Sequence, residues 1–385
     1  MMDTLQSYLD AGFTEKYARI YLNSKNKALQ EAILDPGLIN YAYNHGFKAA
    51  SLMHYADAAA IRYTDVDLSQ YLCDRDYYRL WPLNDWSRIW INDKLTLKYM
   101  LAGTQYTDVM PTYYWFSQNG KLRRLLDNDR YEQSTNGFLS SLRDVRIFAC
   151  KPANGTLSAG FNKMSYQDGV YRLNDVACTE EDIIRFTDTH PNFIYTEYLT
   201  PCGELSPISD KIHTIRIMVL NEDGIHPRII PCCYIRFGTA EQGASNLSSV
   251  DNKADYSLFC GVDIETGAFG KAYAFYADKV VEVDRHPDSH YPLTGSIPHW
   301  DKVRDTILGI AKHLFSEEWI GFDACVDAGG NVRIMEINSH PGISYAQVYR
   351  PLMTIPFVKD YITRKSRELD ELTAEQVQAR NRIIR

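Results

Sequence analysis

The spacing of apolar residues changes along this 385-residue chain. Up to about residue 90 they recur every three or four positions, in stretches such as TLQSYLDA, EKYARIYLN and NKALQEAIL, with Gly, Asn and an Asp-Pro pair between them. Such spacing lays one apolar stripe along a helix, so residues 1–90 are predicted to be mainly helical. From about residue 145 the pattern shortens into β-like runs, VRIFACK, FIYTEYL, TIRIMVLN and IIPCCYIRFG. Between the first two lies a helix, TEEDIIRFTDTH, with Thr179 as its cap. A further helix is predicted over 301–315, where Val303, Ile307, Ile310 and Leu314 share one side, and the last 45 residues read as helical. Interleaving of this kind predicts an α+β protein whose mixed or antiparallel sheets are covered on one side.

Residues 321–342, GFDACVDAGGNVRIMEINSHPG, read as a hairpin turning at Gly329-Gly330. A two-residue Gly-Gly loop would pair Ala328 with Asn331 and set Asp323 opposite Glu336. Opposed carboxylates repel, so a cation is their natural third partner. Asn338, two residues beyond Glu336, adds a neutral oxygen, and the three together suit Mg2+. A loop with an odd number of residues would place Met335 opposite Asp323 and remove this argument. The same segment also fits an ordinary hairpin with a solvated acidic face.

Composition narrows the function classes. Apolar residues make up 45% and charged residues 23%, as in a globular protein long enough for two or three domains. The net charge of −8 argues against a nucleic-acid partner. No apolar run reaches membrane-spanning length, and Asp3 stands where a secretory leader is basic, so a cytoplasmic protein is expected. The eight cysteines are scattered, with Cys232-Cys233 the only close pair, and are expected to be reduced and mostly buried.

Three further segments suit phosphate chemistry. In VRIFACKPANGTLSAGF a strand ends at Lys151 and runs into a loop with Gly155, Thr156, Ser158 and Gly160. Small residues let backbone N–H groups approach phosphate oxygens, although a plain Gly-containing turn has the same composition. In FIYTEYLTPCGEL, Glu197, Tyr198 and Leu199 lie on a strand and Glu204 follows. An extended segment can recognise an adenine edge and a nearby carboxylate a ribose, but on pattern alone a strand followed by a Pro-Gly turn with a surface Glu is the favoured reading. Lys94 heads a helix capped by Asn92 or Asp93, and Arg216 alternates with Thr214 and Met218 on a strand. Both also suit plain salt bridges.

In this order Lys94, Lys151 with its loop, Glu197, Glu204, Arg216, Asp323, Glu336 and Asn338 resemble the ATP-grasp superfamily. Over about residues 80–350 the chain is most similar to its sugar-transfer-associated branch, through NDKLTLKYML, PTYY, KPANGTLSAGF, HTIRIMVLN, YIRFG and the hairpin. The resemblance implies an ATP-grasp fold, with two α+β subdomains clamping ATP behind the helical N-terminal region. The division is then 1–90, 91–200 with the phosphate loop, 201–350 with the metal site, and a helical extension over 351–385. Lys94, Lys151 and the loop from Asn154 to Gly160 would hold phosphates, Glu197 to Leu199 adenine, and Glu204 ribose. Asp323, Glu336 and Asn338 would bind one or two Mg2+ ions. Arg216 would serve the transferring phosphoryl group, with His213, Arg236 and Asn252 near the substrate. Cys260 in CGVD departs from the branch, which shows a Gly-Gly pair there.

The implied activity is an ATP-dependent carboxylate–amine ligase forming an amide through an acyl phosphate and releasing ADP and phosphate. Its substrates would be a small or sugar-linked carboxylate and an amine, in surface polysaccharide assembly. A kinase on the same ATP site and a non-catalytic nucleotide-binding module are the alternatives.

Overall fold

The computed structural model describes residues 4–125, 128–154, 160–240 and 255–383. The chain divides into two compact units. The larger comprises residues 1–88, 203–324 and 338–385, and the smaller 89–202 and 325–337.

The larger unit begins with helices α1 (Leu5–Asp10), α2 (Glu15–Glu31), α3 (Pro36–Asn44), α4 (Ala49–Ala58) and α5 (Asp74–Arg79), as the N-terminal periodicity predicts. The Asp-Pro pair starts α3: the Asp35 side chain caps Leu38 N, and Pro36 takes the first turn, where no N–H is needed.

The chain enters the smaller unit through α6 (Arg88–Asn92) and α7 (Lys94–Leu101). Asp93 is the cap of α7, and its carboxylate accepts from Thr96 N. Strands β1 (Tyr113–Gln118) and β2 (Lys121–Arg124), helix α8 (Thr135–Val145) and strands β3 (Ile147–Pro152), β4 (Asn162–Gln167), β5 (Val170–Leu173) and β6 (Val176–Cys178) follow. Then come α9 (Glu180–Thr189), closed by a capping box between Thr179 and Asp182, and β7 (Phe193–Glu197). The strands form one antiparallel sheet in the order β2-β1-β7-β3-β4-β5-β6. Trp115, Phe138, Phe148 and Tyr195 form its core. Each such aromatic contributes roughly 1.5–3 kcal/mol by leaving water.

Back in the larger unit are β8 (Thr214–Leu220), β9 (Arg228–Ile229), β10 (Cys233–Phe237), β11 (Tyr256–Val262), β12 (Ala268–Tyr276), β13 (Val280–Val283), β14 (Gly295–Ser296), α10 (Trp300–His313) and β15 (Trp319–Val326). β16 (Val332–Asn338) leads to α11 (Ser344–Tyr349), α12 (Pro356–Asp370) and α13 (Ala374–Ile383). The antiparallel order is β13-β12-β11-β10-β8-β15. α10 buries Val303, Ile307 and Ile310, the stripe read from the sequence.

Long-range polar bonds tie the N-terminal helices to the C-terminal stretch of this unit. The buried Gln347 amide donates to Leu72 O and Tyr55 Oη and accepts from Leu72 N. Tyr77 Oη donates to Pro341 O at 2.7 Å, and Asn84 Nδ2 donates to Trp319 O and Ser339 O. Arg380 donates to Gly12 O, Arg79 O and Trp81 O.

Two local expectations change. The hairpin loop has three residues: Asp327 N donates to Asn331 O at 2.9 Å, Gly330 N donates to Asp327 O, and Gly330 has φ +73° while Gly329 does not enter the left-handed region. The Asp327 carboxylate accepts from Gly329 N and Asn331 N, which stabilises a type I turn followed by a left-handed residue. With an odd loop, an opposed Asp323–Glu336 pair no longer follows from the turn. The CGVD departure lies in β11, which bulges against β12 between Cys260 and Gly261. A Cβ on Gly261 would stand 2.6 Å from the Tyr349 ring, so the glycine is fixed by packing and the buried Cys260 fills core.

Candidate active site

In the smaller unit the charged residues gather where α7 meets the end of β3. Lys94 N donates to Ala153 O, Asp93 bridges to Asn154, and the Lys94 ammonium is buried 3.3 Å from the Glu336 carboxylate. Lys151, at the end of β3, has its ammonium pushed down to about 8 by burial and then by Lys94, with Glu336 opposing. Two cations against one carboxylate leave positive charge that an incoming anion would relieve. Glu197 closes β7: its backbone N–H donates to Thr112 O and its carboxylate accepts from Thr112 N. Tyr198 lies under the Lys163 ammonium at 5.7 Å, and Leu199 is buried. Gly160 is exposed, with φ +84°. Gly155, Thr156 and Ser158 lie outside the described residues.

Arg333 is the residue that the sequence reading missed. Its Nε donates to Asp327 at 2.6 Å, its Nη1 to Asp108 O, and its guanidinium lies 3.8 Å from Glu197. Its one local signal is position, the first charged residue of β16 just beyond the turn.

The larger unit holds a second charge set on its sheet. Arg216 on β8 stands opposite Asp323 on β15, and the guanidinium grips the carboxylate through Nε at 2.7 Å and Nη2 at 3.1 Å. Arg236 on β10 approaches the same carboxylate at 3.6 Å. All three are buried, so two guanidiniums face one carboxylate with a net positive charge. Opposite Arg216 on β10 is Tyr234, whose hydroxyl is pushed up by burial although both arginines pull it down. His213, just before β8, is wholly buried, and burial lowers it to about 3, so its ring is neutral. Glu204 is exposed, Asn338 is half-buried at the end of β16, and Asn252 lies outside the described residues.

The donor chemistry can be tested against a metal. Among the described residues no three His, Cys, Asp or Glu side chains cluster into a self-sufficient cage. Two carboxylates and an amide suit Mg2+, which takes few protein ligands and fills its octahedron with water and phosphate oxygens. A carboxylate has about four lone-pair sites, so the bidentate Arg216 leaves Asp323 capacity for a cation.

Residues 78–353 match the family described as sugar-transfer associated ATP-grasp, more than half of the chain. The chain belongs to that family. Its fold is therefore the ATP-grasp fold, preceded by a helical N-terminal region. Among solved structures it is similar to N5-carboxyaminoimidazole synthetase from Staphylococcus aureus, at 10% identity and TM-score 0.33, over 66% of this chain and 45% of that one. D-alanyl-alanine synthetase A from Vibrio cholerae is similar at 12% and 0.40, over 73% and 66%. VanG D-Ala:D-Ser ligase from Enterococcus faecalis is similar at 11% and 0.37, over 72% and 61%. The chain thus spans less than half of the first of these. No curated protein matches it. Among the described residues no helix is long and apolar enough to cross a membrane.

Proposed function

We propose that this ATP-grasp protein is an ATP-dependent carboxylate–amine ligase. The observation that carries the reading is the buried excess of cations: Lys94 and Lys151 with Glu336, and Arg216 and Arg236 with Asp323. Such sets suit the triphosphate and a carboxylate whose oxygens must be neutralised as charge develops.

Lys94 and Lys151 hold ATP phosphates, the strand end at Glu197, Tyr198 and Leu199 takes the adenine, and Glu204 accepts from the ribose. Asp323, Glu336 and Asn338 would hold Mg2+, which would neutralise phosphate oxygens. Arg216 stabilises the phosphoryl group as the substrate carboxylate attacks the γ-phosphorus. That step forms a C–O–P bond and releases ADP. An amine then attacks the acyl carbon of the acyl phosphate, and inorganic phosphate leaves. Arg236 orients the carboxylate, while His213, buried and neutral, positions the start of β8. The family's link to sugar transfer favours a uronate or amino-sugar substrate in surface polysaccharide assembly.

Oxygen labelling tests this. 18O placed in the acceptor carboxylate should appear in the released phosphate, and hydroxylamine should trap a hydroxamate. Label found in AMP, or ADP formed with no oxygen transfer from any carboxylate supporting turnover, would overturn the ligase. The latter, with a stable phosphorylated acceptor, would establish a kinase instead.

A further inference from the structure

Within the larger unit a cavity of about 610 Å³ opens between α12 and the segment before and into α5. Its residues, 45–76 and 362–370 with Met353 at one margin, lie almost wholly outside the stretch that matches the family, so the shared ATP chemistry does not account for it. The volume falls within the range of small-ligand sites, about 300–1,000 Å³.

The lining states what would fit. Two carboxylates border it, and both are already engaged: Asp76 by Arg75 at 2.9 Å and Asp370 by Arg79. Arg367 also borders it, and among the described residues its guanidinium makes no hydrogen bond or ion pair. The unmatched charge is therefore positive. Thr363 and Ser366, on the same helix, likewise keep hydroxyls without partners among the described residues. His45 Nδ1 is committed to Tyr41 O at 2.8 Å, which leaves Nε2 for a ligand. Beneath these lie the buried faces of Phe47 and Ile362.

We infer that this cavity binds a ring-bearing, hydroxylated anion of monosaccharide size, carrying a phosphate or a carboxylate. Arg367 pairs with the anion, the α12 hydroxyls and His45 meet ring hydroxyls, and the half-buried Tyr71 and Leu68 receive the C–H face of the ring. A bare inorganic anion would leave the apolar floor unused. The site shares no residue with the nucleotide and phosphoryl machinery and does not depend on that reading.

The test is calorimetric titration of the full chain with glucose 1-phosphate, glucuronate and inorganic phosphate, each with ADP and Mg2+ saturating. At least one ring-bearing probe should bind more tightly than inorganic phosphate. Its affinity should fall at least fivefold in Arg367→Gln and vanish in Ser366→Trp, which plugs the cavity from the same wall. Arg367 is exposed and Ser366 half-buried on the cavity face of α12, and unchanged thermal midpoints check that the fold is intact. The inference is overturned if neither ring-bearing probe binds, if inorganic phosphate binds as tightly, or if binding survives both substitutions.

Discussion

Glu317 offers a quantitative test of how charge is buried here. It is wholly buried just beyond α10, where Asn221 Nδ2 donates to its backbone carbonyl and Ser87 and Arg88 face its carboxyl. Burial raises the carboxyl from 4.5 to about 7, with Ser87 and Arg88 only partly opposing. A folded-state value above the unfolded one means that the protonated acid is the form the fold prefers. That stability is fully present below about pH 4.5 and is lost as pH rises through about 7. Carrying the carboxyl from 4.5 to about 7 corresponds to at most about 3–4 kcal/mol at high pH. Glu317→Gln keeps the shape and cannot ionise. The variant should match the wild type at pH 4 and exceed it at pH 8.5, by roughly 7–14 °C in Tm if the full amount is realised. Thermal unfolding of both proteins at the two pH values measures this. An equal Tm difference at pH 4 and pH 8.5 would refute the argument, because a packing effect does not titrate.

Glu336→Gln should leave the fold intact and reduce turnover at saturating Mg2+ at least a hundredfold, as steady-state ADP release would show; near-normal turnover removes Glu336 from the metal set. Lys151→Met should raise KM for ATP about tenfold or more, whereas Arg216→Met should mainly lower kcat, because a ground-state phosphate contact and a transition-state contact separate in that way. If both variants changed only KM, Arg216 would have no role in the chemical step. Asn84→Ala removes a buried amide that serves Trp319 O, Ser339 O, Glu318 N and Trp319 N, and should cost about 2–4 kcal/mol in denaturant unfolding of the larger unit.

Local features were legible because their causes are local. Asp93 caps α7, Thr179 closes a capping box on α9, and the stripe of Val303, Ile307 and Ile310 is buried, each fixed by residues within one or two turns. The hairpin's existence was legible and its loop length was not. The Asp327 side chain bonds across the turn and selects a three-residue loop where the Gly-Gly pair suggests two. Partnerships across the chain left no trace in spacing. Arg216 and Asp323 are 107 residues apart and Asn84 and Ser339 are 255 apart, and sheet order and burial join them. Lys94, Lys151 and Arg216 were singled out by the order of motifs, whereas Arg333 belongs to no motif and meets Glu197 and Asp108 only through the fold.

The three-part make-up of the larger unit bears on how it is made. Helices α1 to α5 are synthesised before the rest of the larger unit, yet the groups that complete their bonding, Pro341, Gln347 and Arg380, come more than 250 residues later. Through most of translation the apolar faces of these helices lack their native cover, while almost all of the smaller unit, residues 89–202, emerges as one uninterrupted stretch. At about 5–20 residues per second that exposure lasts for tens of seconds. The native bonding of α1 to α5 therefore waits on α11 to α13, whereas the smaller unit can close most of its sheet as soon as β7 is made.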